Sequence, residues 1–264
     1  MRTLDAPVQA LMRQVGAELL VPRFRQLSAD EIMEKSPGDL VTVVDRESEV
    51  RLTDGLAALL PGSHVVGEEA CAADPALLAM IGDGAVWIVD PLDGTANYAA
   101  GRTPFAIMVA LAEAGTVRAG WILDPITGRM VSALRGHGAF VDSRRVAARG
   151  SGTRPPVAAL ATRYLPEEVR ADIGRRSAER FTLADIPGCA GEQYPRLVMG
   201  QNDVALFWRA LPWDHAPGAL FLEEAGGRIA HIDGTPYSIA AARHGLLAAA
   251  SPALWDEAAD ALFG

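Results

Sequence analysis

Residues 87 to 101 read WIVDPLDGTANYAAG, an apolar run that drives into two aspartates three apart around a proline and then into Gly-Thr. Trp87-Ile88-Val89 predicts a buried strand, and Gly94 followed by Thr95 predicts a tight turn with a helix opening at Thr95. The reading of the whole chain turns on what offsets the mutual repulsion of the acids that such a strand carries to its end.

Working outward, "HVVGEE" (64 to 69) predicts a second strand ending in acids, Glu68 and Glu69. "LVTVVD" (40 to 45) has the β-branched content of a short buried strand or the start of a helix, and it ends on Asp45. A turn is predicted at "KSPGD" (35 to 39), and a helical pattern over Arg46 to Leu60 stops at Pro61-Gly62. Leu4, Val8, Leu11, Met12, Val15 and Leu19 recur at helical spacing, predicting an amphipathic helix that ends before Pro22.

From Phe105 to Asp142 the apolar runs break at 113–116, 124–128 and 135–138, which predicts an antiparallel meander. The stretch "RGSGTRPP" (149 to 156) is rich in Gly, Pro and Arg and marks a domain boundary: residues 1–148 form an N-terminal α+β part, and 149–264 a C-terminal α/β part. Beyond it the sequence predicts strands at 157–162, 181–186 and 203–208, and helices near 166–180, 193–200 and 214–225. Ser251-Pro252 opens a last helix, with Ser251 as its cap.

Of the 264 residues, half are hydrophobic, and the formal net charge is -9, which argues against a nucleic-acid surface built from Lys and Arg. The first twenty residues interrupt their apolar positions with Asp5, Gln9, Arg13 and Glu18, so no secretory leader is predicted; no apolar run is long enough to span a bilayer. The two cysteines, Cys71 and Cys189, are far apart and fit reduced thiols in a cytoplasmic protein.

Carboxylates thus stand at the edges of four apolar stretches: Asp45, Glu68-Glu69, Asp90/Asp93 and Asp214. Brought to about 4 Å, each pair would cost roughly 4 kcal/mol at an effective dielectric near 20, and a divalent cation removes that cost. Oxygen donors suit Mg²⁺, Mn²⁺ or Ca²⁺, and the five scattered histidines show no zinc-like spacing. Pro91 fixes the backbone so that the Leu92 carbonyl can face the cation. Gly94 and the helix start at Thr95 offer N–H groups to an anion, so a phosphate can bridge cation and helix terminus. An Asp-Gly pair alone is an ordinary turn, and a lone Glu-Glu pair is ordinarily a solvated surface; the specificity comes from the set.

"GEE" (67 to 69), "WIVDPLDGT" (87 to 95) and "WDHAPGALFLEEAGG" (213 to 227), preceded by "EKSPGDLVTVVD" (34 to 45), resemble the motifs of the inositol monophosphatase family of Mg²⁺-dependent, lithium-sensitive phosphatases, in order across nearly the whole chain. The resemblance implies a layered α-β-α-β-α sandwich of the inositol monophosphatase and fructose-1,6-bisphosphatase type, usually a homodimer, acting on a small-molecule phosphate monoester with two or three Mg²⁺. It further implies that Glu68, Asp90 and the Leu92 carbonyl bind a first metal and Asp90, Asp93 and Asp214 a second. Glu68 would also face a third metal and the nucleophilic water. Thr95 and Asp45 would orient that water, the Gly94-Thr95 amides hold the phosphate, and Glu69 supports the site from behind.

Substrate choice departs from the pattern. The family's G-[ST]-A element reads Gly188-Cys189-Ala190, and the position of the inositol-binding glutamate falls on Phe207. An acceptor for a sugar hydroxyl has become an aromatic ring, with Trp208 and Arg209 beside it to contact a base, an imidazole or a second phosphate, and Glu192 to pair with an amine. Phe207 and Trp208 read equally well as core packing, and Arg209 as a surface ion pair. Cys189 has no basic neighbour in sequence to activate it. The resemblance leaves as alternatives a member specialised for histidinol phosphate, a nucleotide 3′-phosphate or fructose 1,6-bisphosphate, or a binding partner of the transcription machinery with secondary phosphatase activity.

Overall fold

The computed structural model describes residues 2–36, 39–241 and 243–264. The N-terminal amphipathic pattern forms α1 (Arg2–Val15), burying Val8, Met12 and Val15. It does not stop before Pro22. A π-helical turn over Gly16–Leu20 widens the backbone and continues without a break into α2 (Val21–Arg23), so Pro22 lies within one helical stretch and close to its end.

β1 (Ile32–Ser36) and β2 (Asp39–Thr42) pair as an antiparallel hairpin; the turn predicted between them includes Pro37 and Gly38, which lie outside the described residues. Residues 40–45 are strand first and helix after, because α3 (Val43–Leu59) starts immediately beyond Thr42. The switch is made by a capping box: the Thr42 hydroxyl accepts the Val44 N–H, and the Asp45 carboxylate accepts the Thr42 N–H at 2.8 Å.

β3 (His64–Gly67) delivers its two glutamates to α4 (Glu68–Ala73), and β4 (Ala85–Asp93) leads through Gly94 to α5 (Thr95–Ala99), a single turn. The meander follows as expected: β5 (Ala106–Glu113), β6 (Thr116–Leu123), β7 (Met130–Leu134), β8 (Gly138–Val141) and β9 (Arg144–Val146). These strands form one sheet in the order β3-β4-β5-β6-β7-β8-β9, in which β3 and β4 are parallel and all other neighbours antiparallel.

Past 149–156 come β10 (Val157–Leu160), α6 (Glu167–Ser177), β11 (Thr182–Leu183), α7 (Ala190–Val198), β12 (Val204–Phe207) and α8 (Pro212–Glu224). Then follow β13 (Arg228–His231), β14 (Leu246–Ala249) and α9 (Pro252–Phe263), which Ser251 caps through the Leu254 N–H. The pattern singles out neither β13 nor β14, and only two residues of 181–186 pair as strand. The second sheet runs β11-β10-β12-β14-β13, parallel across its first three strands and antiparallel across the rest.

Five layers result: α1 and α3, the seven-stranded sheet, α7 and α8, the five-stranded sheet, and α6 with α9. Three apolar cores bind the layers together, and the middle one, which surrounds α7 and α8, takes side chains from both sheets, Ile88 and Met108 from the first and Ala205 and Leu246 from the second. Close approach in the middle layer depends on glycine. A Cβ at Gly218 of α8 would lie 2.0 Å from the Tyr194 ring, and one at Gly120 of β6 would lie 2.7 Å from Pro217. The described residues contain no helix long and apolar enough to cross a membrane, and both cysteines are free and buried.

Candidate active site

In a regular strand residues three apart face opposite sides, yet Asp90 and Asp93 both line the same cleft. A β-bulge explains this. Asp90 pairs with Met108 and Asp93 with Ala106, so β4 holds one residue more than β5 across this interval. Pro91, which has no N–H to offer a ladder, sits within it. The Asp90 carboxylate accepts the Leu92 N–H at 2.9 Å, which fixes the bulged backbone.

Glu68 and Glu69 occupy the first turn of α4, and their placement is set from α3. The Glu49 carboxylate accepts the Glu69 N–H and the Ala70 N–H, both at 2.8 Å, across a backbone where Gly67 leaves room: a Cβ there would lie 2.3 Å from the carboxylate carbon. Lys35 of β1 donates to Glu68 at 2.7 Å and to Glu69 at 2.8 Å. Burial alone would push the Lys35 ammonium down, but the two carboxylates overcome it and hold its pKa up.

Asp45 does two things at once. One carboxylate oxygen closes the α3 cap with Thr42; the other accepts from the Thr95 hydroxyl at 3.0 Å, and that hydroxyl also lies 2.9 Å from the Leu92 carbonyl. Thr95 starts α5 because Gly94 turns the chain at φ +90, where a Cβ would meet the Pro104 carbonyl at 3.1 Å and Cys189 at 3.2 Å. The first N–H groups of such a turn have no partner within it.

The fourth acid, Asp214, comes from the first turn of α8. The Gly188-Cys189-Ala190 segment reaches across to the first half: the Cys189 thiol donates to Asp93 at 2.9 Å and the Gly191 N–H to the same oxygen at 2.6 Å. Burial and the Asp93 carboxylate push the Cys189 thiol up, so Cys189 is a donor and not a nucleophile.

Glu68, Asp90, Asp93 and Asp214 therefore line one cleft of about 520 Å³, together with Leu92, Gly94, Thr95, Gly188, Cys189, Ala190, Phe207, Trp208 and Arg209. Asp45, fully buried, stands behind Thr95. Burial first, and mutual repulsion second, hold the Asp90 and Asp214 carboxyls well above the usual range; Asp93 is raised by burial and partly relieved by its Cys189 and Gly191 donors. Burial likewise carries Asp45 and Glu49 up to about 7. The cleft thus gathers four carboxyl groups whose ionisation a bound cation would favour, and their all-oxygen donor set fits a hard divalent cation such as Mg²⁺. No three acid, histidine or cysteine side chains among the described residues form a ready-made ion cage; Lys35, Leu92, Cys189 and Gly191 engage oxygens of the acids.

At the other end, Phe207 belongs to both the core and the cleft. It stacks on Tyr194 at 5.4 Å and meets the His215 ring edge-on at 4.8 Å. His215 bonds Tyr194 at 2.8 Å and the Arg209 carbonyl at 2.9 Å, and burial takes its pKa down to about 4, so the imidazole is neutral. Trp208 stacks on His244 at 5.7 Å. Glu192 is not available to an amine: it pairs with Arg129 at 2.5 Å and Arg196 at 2.9 Å and does not line the cleft. No motif in the sequence points to Lys35, Glu49 or Gln193 as site residues, and the capping role of Thr42 shows only in a local signal, the T-x-x-D spacing of a capping box.

Comparison with known proteins gives the family and the fold. The sequence model of the inositol monophosphatase family matches residues 1–262. An inositol-1-monophosphatase of Bacillus subtilis is 27% identical over 238 residues, covering 89% of this chain and 88% of that protein. The Nus factor SuhB of Pseudomonas aeruginosa is 29% identical over 235 residues, covering 83% and 82%. A solved IMPase of Thermotoga maritima, 24% identical, superimposes with a TM-score of 0.82 over 99% of this chain and 97% of its own, and so shares the fold. The chain belongs to the inositol monophosphatase family, enzymes that hydrolyse phosphate monoesters.

Proposed function

We propose that the protein is a Mg²⁺-dependent phosphatase that hydrolyses a small-molecule phosphate monoester by direct attack of water and releases inorganic phosphate. Glu68, Asp90, the Leu92 carbonyl, Asp93 and Asp214 would hold two or three Mg²⁺. When bound, the cations supply Lewis acidity, acidifying water and offsetting charge on the departing oxygen.

The chain's own residues do the rest. The Gly94-Thr95 backbone presents N–H groups to the phosphate. Thr95 aligns the attacking water, and its proton passes towards Asp45, whose pKa of about 7 suits a base working near neutral pH. Water adds to phosphorus as the ester P–O bond breaks, and the alkoxide leaves as the alcohol after taking a proton. The observation that supports this reading best is the Asp45–Thr95–Leu92 hydrogen-bond chain, set in a cleft lined by four acids. Asp90→Asn is expected to lower Mg²⁺-dependent phosphate release by about 100-fold or more, as loss of a metal ligand does; near wild-type turnover in that variant would overturn the proposal.

The engagement of Glu192 with two arginines weakens the case for histidinol phosphate among the specialised substrates. The homodimer, the lithium sensitivity, the cytoplasmic setting and a part in transcription complexes are further proposals that the family resemblance suggests; the acid set favours catalysis over pure scaffolding.

A further inference from the structure

A second cavity, of about 320 Å³, also borders α8, and it shares no lining residue with the catalytic cleft. Its floor is one face of that helix, where Ala216, Ala219, Leu220 and Glu223 recur at helical spacing; by the same spacing Asp214 lies on the opposite face. Arg135, just past β7, and Tyr237, from the segment between β13 and β14, also line it.

Arg135 is held in place without Glu223. Its Nε donates to the Val117 carbonyl at 2.7 Å and its backbone N–H to the Arg118 carbonyl at 2.9 Å. Glu224 accepts the Gly136 and Gly138 N–H groups at 2.7 and 2.8 Å, tying the turn to the end of α8. Glu223 stands 3.5 Å from the guanidinium, a long contact between side chains each 39% exposed, and such pairs contribute little to folding. Burial pushes its carboxyl up, and Arg135 only partly relieves it. The Tyr237 hydroxyl is shielded from solvent yet has no partner among the described residues. Burial, with the charges of Asp214 and Glu223 added, keeps that phenol protonated, so it is a donor without an acceptor.

The cavity thus offers a cation, an anion and an unmet hydroxyl over an apolar floor, in a volume at the small end of ligand pockets. A phosphate or a simple carboxylate would answer Arg135 but meet the charge of Glu223, and a simple amine would do the reverse. A compact molecule carrying both charges answers both. Its carboxylate matches the planar guanidinium fork, and its ammonium can donate to Glu223. We propose that this cavity binds a free α-amino acid, with the carboxylate on Arg135 and the Tyr237 hydroxyl, the ammonium on Glu223, and the side chain over Ala216, Ala219 and Leu220. The site stands apart from the reacting centre and contributes no group to hydrolysis.

Calorimetric titration of the full chain with each of the common L-amino acids tests this. At least one should bind with a Kd of about 1 mM or tighter, and its counterparts lacking the amine or the carboxylate should bind about tenfold or more weakly. Glu223→Gln and Arg135→Gln should each weaken binding about tenfold or more, and Tyr237→Phe about threefold or more. Glu223→Gln and Tyr237→Phe keep the shape of the side chain, so they decide the matter if Arg135→Gln fails to fold. Mg²⁺ with inorganic phosphate, which would fill the catalytic cleft, should leave the affinity unchanged. The proposal is overturned if no amino acid binds at that level, if the amine-free or carboxylate-free counterpart binds as well, if affinity survives both Glu223→Gln and Tyr237→Phe, or if Mg²⁺ and phosphate displace the ligand.

Discussion

The Thr95 hydroxyl donates to the Asp45 carboxylate at 3.0 Å, joining residues fifty apart in sequence. The same carboxylate closes the N-terminal cap of α3 through Thr42, so the helix end and the proposed water-orienting group share one side chain. Thr95→Val keeps the shape and removes the hydroxyl. Its kcat should fall by about 10²–10³, within the range for lost proton-transfer groups, with little change in KM. Thr95→Ser should recover most of the rate. Steady-state phosphate release with circular dichroism as a folding control checks this; a Thr95→Val enzyme within a few-fold of wild type would remove Thr95 from the mechanism.

Glu49 satisfies two N–H groups at the start of α4, the turn that carries Glu68 and Glu69. Glu49→Ala leaves both donors without their acceptor, at a cost of about 2 kcal/mol, equivalent to a Tm lower by about 4–8 °C. Mg²⁺ affinity should weaken as well, because the turn that presents Glu68 loosens. Thermal unfolding and a magnesium titration read the two effects separately, and an unchanged Tm would contradict the capping role.

Asp45 and Glu49 hold their protons up to about 7 in the folded protein because burial disfavours their charged forms. In the unfolded chain both ionise near pH 4. The folded state therefore binds more protons between about pH 4 and 7, and its stability falls as pH rises through that window. Asp90, Asp93 and Asp214 are shifted in the same direction. Metal-free protein should melt at a lower temperature at pH 8 than at pH 5, and millimolar Mg²⁺ should raise the Tm more at pH 8, where protons no longer compete for the carboxylates. A metal-free Tm that climbs from pH 5 to 8 and ignores magnesium would refute this.

Gly94 combines φ +90 with close neighbours, the Pro104 carbonyl at 3.1 Å and Cys189 at 3.2 Å from where a Cβ would lie, which a methyl group would have to push aside. Gly94→Ala should remain folded, since the strain is confined to one turn and costs of order 1–3 kcal/mol, while the displaced Thr95 costs at least about tenfold in kcat/KM. Retained secondary structure with lost phosphate release is the expected pairing; full activity would show that the turn tolerates a side chain.

What the sequence discloses follows the distance between partners. D-P-L-D-G-T is local, so the strand, the turn and the helix start at Thr95 are legible in fifteen residues, and the meander shows in its breaks. The bulge that turns Asp90 and Asp93 to one side depends on register with β5, which no pattern within β4 specifies. Lys35 finds Glu68 across 33 residues and Glu49 finds Glu69 across 20, and neither spacing is periodic. Glu192 misleads for the same reason: Arg196 is one helical turn away, but Arg129 lies 63 residues back. Pro22 misleads because a π turn relieves the steric conflict by which proline usually ends a helix.

The grip of Cys189 and Gly191 on Asp93 has a consequence for engineering. Residues 188–191 are the natural cassette to exchange with a relative when altering preference, but they also clamp an aspartate in the opposite half. A transplant there resets the alignment of the reacting centre along with the pocket wall, so selectivity and rate will shift together.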